Sequence, residues 1–120
     1  MRLNADFSFC AAHRLPYYDG NCNRTHGHNY RFQVVLEGTP DPKSGMIIDF
    51  ADVDQIVKET VLDVVDHQHL NDFLDNPTAE LIIMWFWELL TPRLPSLVEI
   101  TLWELETASV TYRGEAHLGA

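Results

Sequence analysis

Two twelve-residue stretches alternate so regularly that they leave this chain few folds to choose from. Over residues 2–13, Leu3, Ala5, Phe7, Phe9, Ala11 and His13 share one parity, while Asn4, Asp6 and Ser8 take the other. Over residues 26–37, His26, His28, Tyr30, Phe32, Val34 and Leu36 oppose Asn29, Arg31, Gln33 and Glu37. A period of two with one apolar side is the pattern of a half-buried strand. The segment 14–25, rich in Pro, Tyr, Asp, Gly and Asn, reads as the loop between them. All three histidines fall on the apolar parity. On a strand, His26 and His28 project from one face about 7 Å apart. With His13 arriving from a neighbouring strand, the three can close on one divalent ion.

The rest of the chain supplies helices and a second pair of strands. Gly38–Gly45 is a loop. Asp49 is placed to cap a helix whose apolar residues Phe50, Val53, Val57, Val61 and Val64 recur at helical spacing, ending near Val65. Asp66-His67-Gln68-His69-Leu70-Asn71-Asp72 reads as a polar loop. A second helix opens at Thr78 after Pro77 and runs to Thr91, where Pro92 stops it, with Ile82, Trp85, Phe86 and Leu89 on its packed face. Residues 97–106 and 108–113 alternate again and read as a terminal hairpin. The order β-β-α-α-β-β predicts an α+β fold, a four-stranded antiparallel sheet with two helices on one face. Residues 1–120 form a single domain in this reading. The sheet's other face would need a partner, which points to a homo-oligomer.

Composition narrows the function. Eight basic against eighteen acidic residues leave a net charge of −10. Nucleic acid and anionic membrane surfaces both call for a basic face, so neither is an expected partner. The longest apolar stretch, Leu81 to Leu90, is interrupted by Glu88 and too short to span a bilayer. No signal-peptide pattern precedes the first strand, so a cytoplasmic protein with reduced thiols is expected, although spacing alone leaves a Cys10–Cys22 disulfide open.

Four groups of residues carry candidate chemistry. His13, His26 and His28 would leave a fourth metal position free, the arrangement of catalytic zinc; Cys22 as the fourth ligand would instead give a closed Cys-His₃ site. A thiol beside Zn²⁺ and Arg24 would serve as a thiolate base, removing a proton from carbon. Asp66 next to His67 is either a solvated helix end or an oriented proton shuttle. Glu104 and Glu106 continue the apolar parity of their strand, and an inward carboxylate can hold a guanidine-like ligand edge through two hydrogen bonds.

These pieces resemble the 6-pyruvoyltetrahydropterin synthase / 6-carboxytetrahydropterin synthase family over nearly the whole chain. The matching motifs are Phe9-Cys-Ala-Ala-His13-Arg-Leu, Cys22-x-x-x-His26-Gly-His28 and Gly45-Met-Ile-Ile-Asp-Phe50. They continue with Asp66-His67-x-x-Leu70-Asn71-Asp72, Asn76-Pro-Thr-Ala-Glu80, and Glu104 eight residues before Tyr112-Arg-Gly114. The resemblance implies the tunnel fold, in which sheets of a homo-oligomer (hexamer or tetramer) join into a barrel with active sites at subunit interfaces. It implies His13, His26 and His28 as Zn²⁺ ligands, with Cys22, Asp66 and His67 as the catalytic residues. Glu104 would anchor the pterin of 7,8-dihydroneopterin triphosphate, with Thr78 and Glu80 nearby. The three-residue spacer after Cys22 resembles the bacterial 6-carboxytetrahydropterin synthases of queuosine (7-deazapurine) biosynthesis. The alternatives are the 6-pyruvoyl enzyme, a lyase on the same substrate, and a non-catalytic zinc- or pterin-binding module. In the family, threonine directly follows the anchoring glutamate; here Leu105 follows Glu104, and the Glu-Thr pair is Glu106-Thr107. Arg14, Arg24 and Arg31 are the phosphate contacts suggested by proximity.

Overall fold

The two alternating stretches pair with each other along their entire length. In the computed structural model, which describes residues 1–115, β1 (Arg2–His13) and β2 (His26–Glu37) form an antiparallel ladder from Arg2 opposite Glu37 to His13 opposite His26. Register here is set by burial, because a slip of one residue would turn every apolar side chain to water. β4 (Leu97–Leu105) pairs with β2, and β5 (Ala108–Tyr112) with β4, both antiparallel.

The sheet has five strands, not the four expected. Gln68–His69 forms a short β3 parallel to β1, with Ala11 opposite Gln68 and Ala12 opposite His69, so the sheet is mixed and its order is β3-β1-β2-β4-β5. Two residues show no periodicity, so the stretch reads as loop. What makes the strand is the backbone at His67, whose φ of 60° turns the chain out of the preceding helix.

Both helices cover one face of the sheet. α1 opens at Phe50–Val57 with Asp49 accepting from the Ala51 N–H, continues through a π turn (Lys58–Leu62), and ends at Asp63–Val65. Its buried stripe is Val53, Val57, Val61 and Val65, whereas Phe50 is exposed and Val64 only half-buried. A strict spacing of four would drift around an ideal helix; the wider π turn absorbs that drift, so Val65 replaces Val64 on the core side. In α2 (Ala79–Leu90) the buried residues are Ile82, Ile83, Phe86 and Leu90. Trp85 and Leu89, expected on that face, are displaced to its border, where Trp85 stacks on Phe73 at 5.4 Å. These residues meet Phe9, Tyr30, Phe32, Val34, Leu36, Ile100 and Leu102 in one core.

The uncovered face is polar. Asn4, Asp6, Ser8 and Cys10 are exposed there, Gln33 donates to Asp6 at 2.9 Å, and Arg31 lies 3.7 Å over the Trp103 ring. Its chemistry is that of a hydrated surface. Both cysteines are free thiols.

Candidate functional site

The β1–β2 register builds the first part of the site. His13 lies directly opposite His26, and His28 lies opposite Ala11, one pleat away on the same face. The three rings sit at centroid separations of 4.5, 4.8 and 5.0 Å. One ligand atom from each falls within 4.8 Å of the other two. Cys22 is not part of that cluster, so the described residues form an open three-histidine set and not a closed Cys-His₃ site.

Hydrogen bonds dictate where the lone pairs point. His13 Nδ1 donates to the Pro77 carbonyl at 2.8 Å, and His26 Nδ1 donates to the Arg24 carbonyl at 2.7 Å. Both Nε2 atoms of the neutral rings are therefore acceptors, yet they face each other at 2.9 Å. His28 Nε2 is buried without a partner. Glu104, from β4, places Oε1 3.4 Å from His13 Nε2 and 4.0 Å from His28 Nε2. Two lone pairs fixed by tautomer, the buried His28 Nε2 and a nearby carboxylate surround one small volume and suit a cation. Burial, the largest influence, lowers the pKa of His13 and of His28 from the ordinary histidine value, holding both rings in the neutral form a metal needs.

Asp66 and His67 form the second part. Asp66 Oδ2 lies 3.1 Å from His67 Nδ1, while Asp66 Oδ1 accepts from the Cys10 N–H at 3.0 Å. That backbone hydrogen bond is the main cause of the lowered Asp66 pKa. His67 occupies the left-handed region, a conformation costing a β-carbon-bearing residue about 1 kcal/mol. It shares a shallow cleft of about 550 Å³ with His28, Cys10, Asn29 and His69. The dyad is thus assembled beside Cys10, and His67 and His28 line the same cleft. Cys22, in the turn Asn21–Asn23, has no described contact with it.

Comparison with known proteins places this geometry. The chain matches the 6-pyruvoyl tetrahydropterin synthase family over residues 2–115. It belongs to that family. It is 35% identical over 114 residues to the 6-carboxy-5,6,7,8-tetrahydropterin synthase of Synechocystis, covering 89% of this chain and 88% of the relative. It is 31% identical over 137 residues to the human 6-pyruvoyl tetrahydrobiopterin synthase, covering 95% and 92%. The solved structure of the Caenorhabditis elegans 6-pyruvoyl tetrahydropterin synthase superposes with a TM-score of 0.87 at 32% identity, covering 96% of each chain.

In this member of the 6-pyruvoyl tetrahydropterin synthase family, the remaining candidates are placed as follows. Glu106 lies in the β4–β5 turn and is exposed, while Glu104 sits at a bulge in β4 that leaves its carboxylate on the histidines. Thr78 caps α2 by accepting from the Leu81 N–H, and Glu80 is exposed in the first helical turn. Arg14 donates through Nε to the Asn23 carbonyl, Arg31 is stacked on Trp103, and Arg24 is exposed. Sequence reasoning passed over the Pro77 carbonyl and Tyr30, whose hydroxyl lies 3.3 Å from His13 Nδ1. Tyr30 carried a signal, since it continues the parity of the histidines. A backbone carbonyl carries none.

Proposed function

We propose that this protein is a zinc-dependent 6-carboxy-5,6,7,8-tetrahydropterin synthase. It would convert 7,8-dihydroneopterin triphosphate to 6-carboxytetrahydropterin, acetaldehyde and triphosphate in queuosine biosynthesis, as a single-domain cytoplasmic enzyme. The observation that carries the metal-dependent reading is the convergence of one ring nitrogen from each of three histidines beside Glu104. The carboxy product is favoured by the three-residue spacer between Cys22 and His26 and by likeness to the Synechocystis enzyme.

The chain's residues divide the work. His13, His26 and His28 would hold the ion, which when bound supplies Lewis acidity at substrate oxygens. Glu104 would accept two hydrogen bonds from the guanidine-like edge of the pterin, placing the ring's substituent against the histidines. Cys22 would take a proton from carbon. Asp66, kept ionised by the Cys10 N–H, orients His67 through Nδ1, leaving Nε2 to exchange a proton with substrate. Arg24, exposed two residues before His26, would contact the triphosphate. Likeness to the 6-pyruvoyl tetrahydropterin synthase family supports a homo-oligomer with active sites at subunit interfaces.

The test is to incubate the zinc-loaded protein with 7,8-dihydroneopterin triphosphate and identify products by mass spectrometry. Carboxytetrahydropterin and acetaldehyde are expected. A pyruvoyl product would move the protein to the sister activity, and no conversion by folded, metal-loaded protein would refute the assignment.

A further inference from the structure

The Cys22 loop is held from a direction that the chemistry of the site does not explain. The ladder of β1 ends at His13, and the next residue, Arg14, is caught by the side-chain amide of Asn71 at both backbone groups. Arg14 N–H donates to Asn71 Oδ1 at 2.8 Å, and Asn71 Nδ2 donates to the Arg14 carbonyl at 2.8 Å. Asn71 thereby imitates one more residue of a neighbouring strand. It is anchored itself, because it follows the fully buried Leu70 in the turn Leu70–Asp72. The Arg14 guanidinium then reaches across the loop. Its Nε donates to the Asn23 carbonyl at 2.8 Å and to Asn23 Oδ1 at 3.2 Å. The next residue, Leu15, donates its N–H to the Cys22 carbonyl at 2.9 Å. A second tie, Tyr17 Oη to Asp75 Oδ2 at 2.5 Å, joins the same two segments.

We propose that Asn71 is a positioning residue for Cys22, acting through Arg14: its amide fixes the Arg14 backbone, and the Arg14 guanidinium fixes the carbonyl next to Cys22. The inference rests on the reading of Cys22 as the proton-abstracting group. The side-chain requirements are narrow. Aspartate at 71 keeps the acceptor for Arg14 N–H but sets a carboxylate against the Arg14 carbonyl, and glutamine is one methylene too long. Lysine at 14 lacks a donor at the Nε position. Neither Asn71 nor Arg14 supplies a ligand atom or hydrogen-bonds a histidine, so all three histidine ligands are kept when this chain of contacts is cut.

The experiment compares zinc-loaded Asn71→Ala, Asn71→Asp, Arg14→Ala and the Asn71→Ala/Arg14→Ala double variant with the parent protein. Misplacing a reacting group by about 1 Å costs on the order of 10²-fold, so kcat on 7,8-dihydroneopterin triphosphate falls by roughly 10–100-fold. KM and zinc content per chain stay at the parent values. The double variant is no slower than the slower single variant, because both changes break one chain of contacts. Unchanged kcat, multiplying effects in the double variant, or loss of zinc would each overturn the proposal. Should Asn71→Ala not fold, Asn71→Asp and Arg14→Ala decide. A readout that needs no substrate separates this inference from the function it rests on: the rate of Cys22 alkylation by iodoacetamide, resolved from Cys10 by peptide mass spectrometry. It rises alike in Asn71 and Arg14 variants while the Cys10 rate stays constant. Parent-like Cys22 rates overturn the tether even if the substrate assignment stands, and altered rates uphold it even if the parent converts nothing.

Discussion

Replacing His28 with phenylalanine should make the metal-free protein more stable and the metal-loaded protein less so. His28 Nε2 is buried with no partner, a penalty of about 1–3 kcal/mol for a desolvated acceptor. Phenylalanine keeps a planar ring in the same slot, 5.6 Å from Tyr30, and removes the acceptor. Allowing ~1 kcal/mol for the slightly larger ring leaves a net gain of about 1 kcal/mol at the middle of that range, and at most about 2 kcal/mol. At about 2.1 cal/mol/K per residue, the 120 residues give an unfolding entropy near 0.25 kcal/mol/K. The expected rise in Tm is therefore about 4 °C, and at most about 8 °C, in chelator at pH 8, above the ordinary histidine value. Zinc at a hundredfold over its Kd adds ~2.7 kcal/mol to the parent, about 11 °C, and little to a variant lacking one ligand. The two melting curves should cross in order between chelator and zinc. If His28→Phe melts at or below the parent in chelator, the idea that this nitrogen is held at a cost for the sake of a cation is wrong.

Other perturbations follow from the same geometry. Because burial lowers the pKa of His13 and His28, the unfolded chain binds protons that the folded one refuses once pH drops below the ordinary value of 6.5. Metal-free stability should then be flat above that pH and decline below it, by up to about 1.4 kcal/mol per pH unit for each histidine; urea midpoints that do not move between pH 7 and 5.5 would contradict this. Gly114→Ala places a Cβ 2.7 Å from Trp87 at a φ of 78° and should cost about 1–3 kcal/mol in denaturant titrations. Phe86→Ala empties the centre of the helix–sheet core and should cost roughly 3–5 kcal/mol, with the histidine site lost in parallel. Cys22→Ala should retain zinc, measured by metal analysis, while turnover drops by about 10²–10⁴.

What could be read from the sequence was whatever depends on a repeating period. Parity placed His13, His26 and His28 on the core side of two strands, and the observed register puts them within ligand distance of one another. Helical spacing found α1 and α2 but misjudged their faces by about one residue; in α1 the cause is a π turn, which is invisible to a 3.6-residue template. β3 has only two residues and is created by a left-handed His67 that any residue-type pattern would treat as loop. The choice between Glu104 and Glu106 turned on a bulge and a tight turn, both properties of the β4–β5 pairing. Asn71, Pro77 and Tyr30 act through one or two hydrogen bonds to distant residues. Such contacts leave no local signature, since their partners lie 17 to 64 positions away.

The bond from His13 to the Pro77 carbonyl also bears on the order of folding. It spans 64 positions, and the carbonyl belongs to the residue just before the Thr78 cap of α2. The β1–β2 hairpin can form by local zippering, but the ring of its last histidine is not oriented until α2 has docked and closed that long loop. A metal ion arriving early would meet a mobile imidazole; one arriving late meets a finished socket. Metal capture should therefore be the final kinetic phase of refolding, its rate set by helix docking and unaffected by raising the zinc concentration.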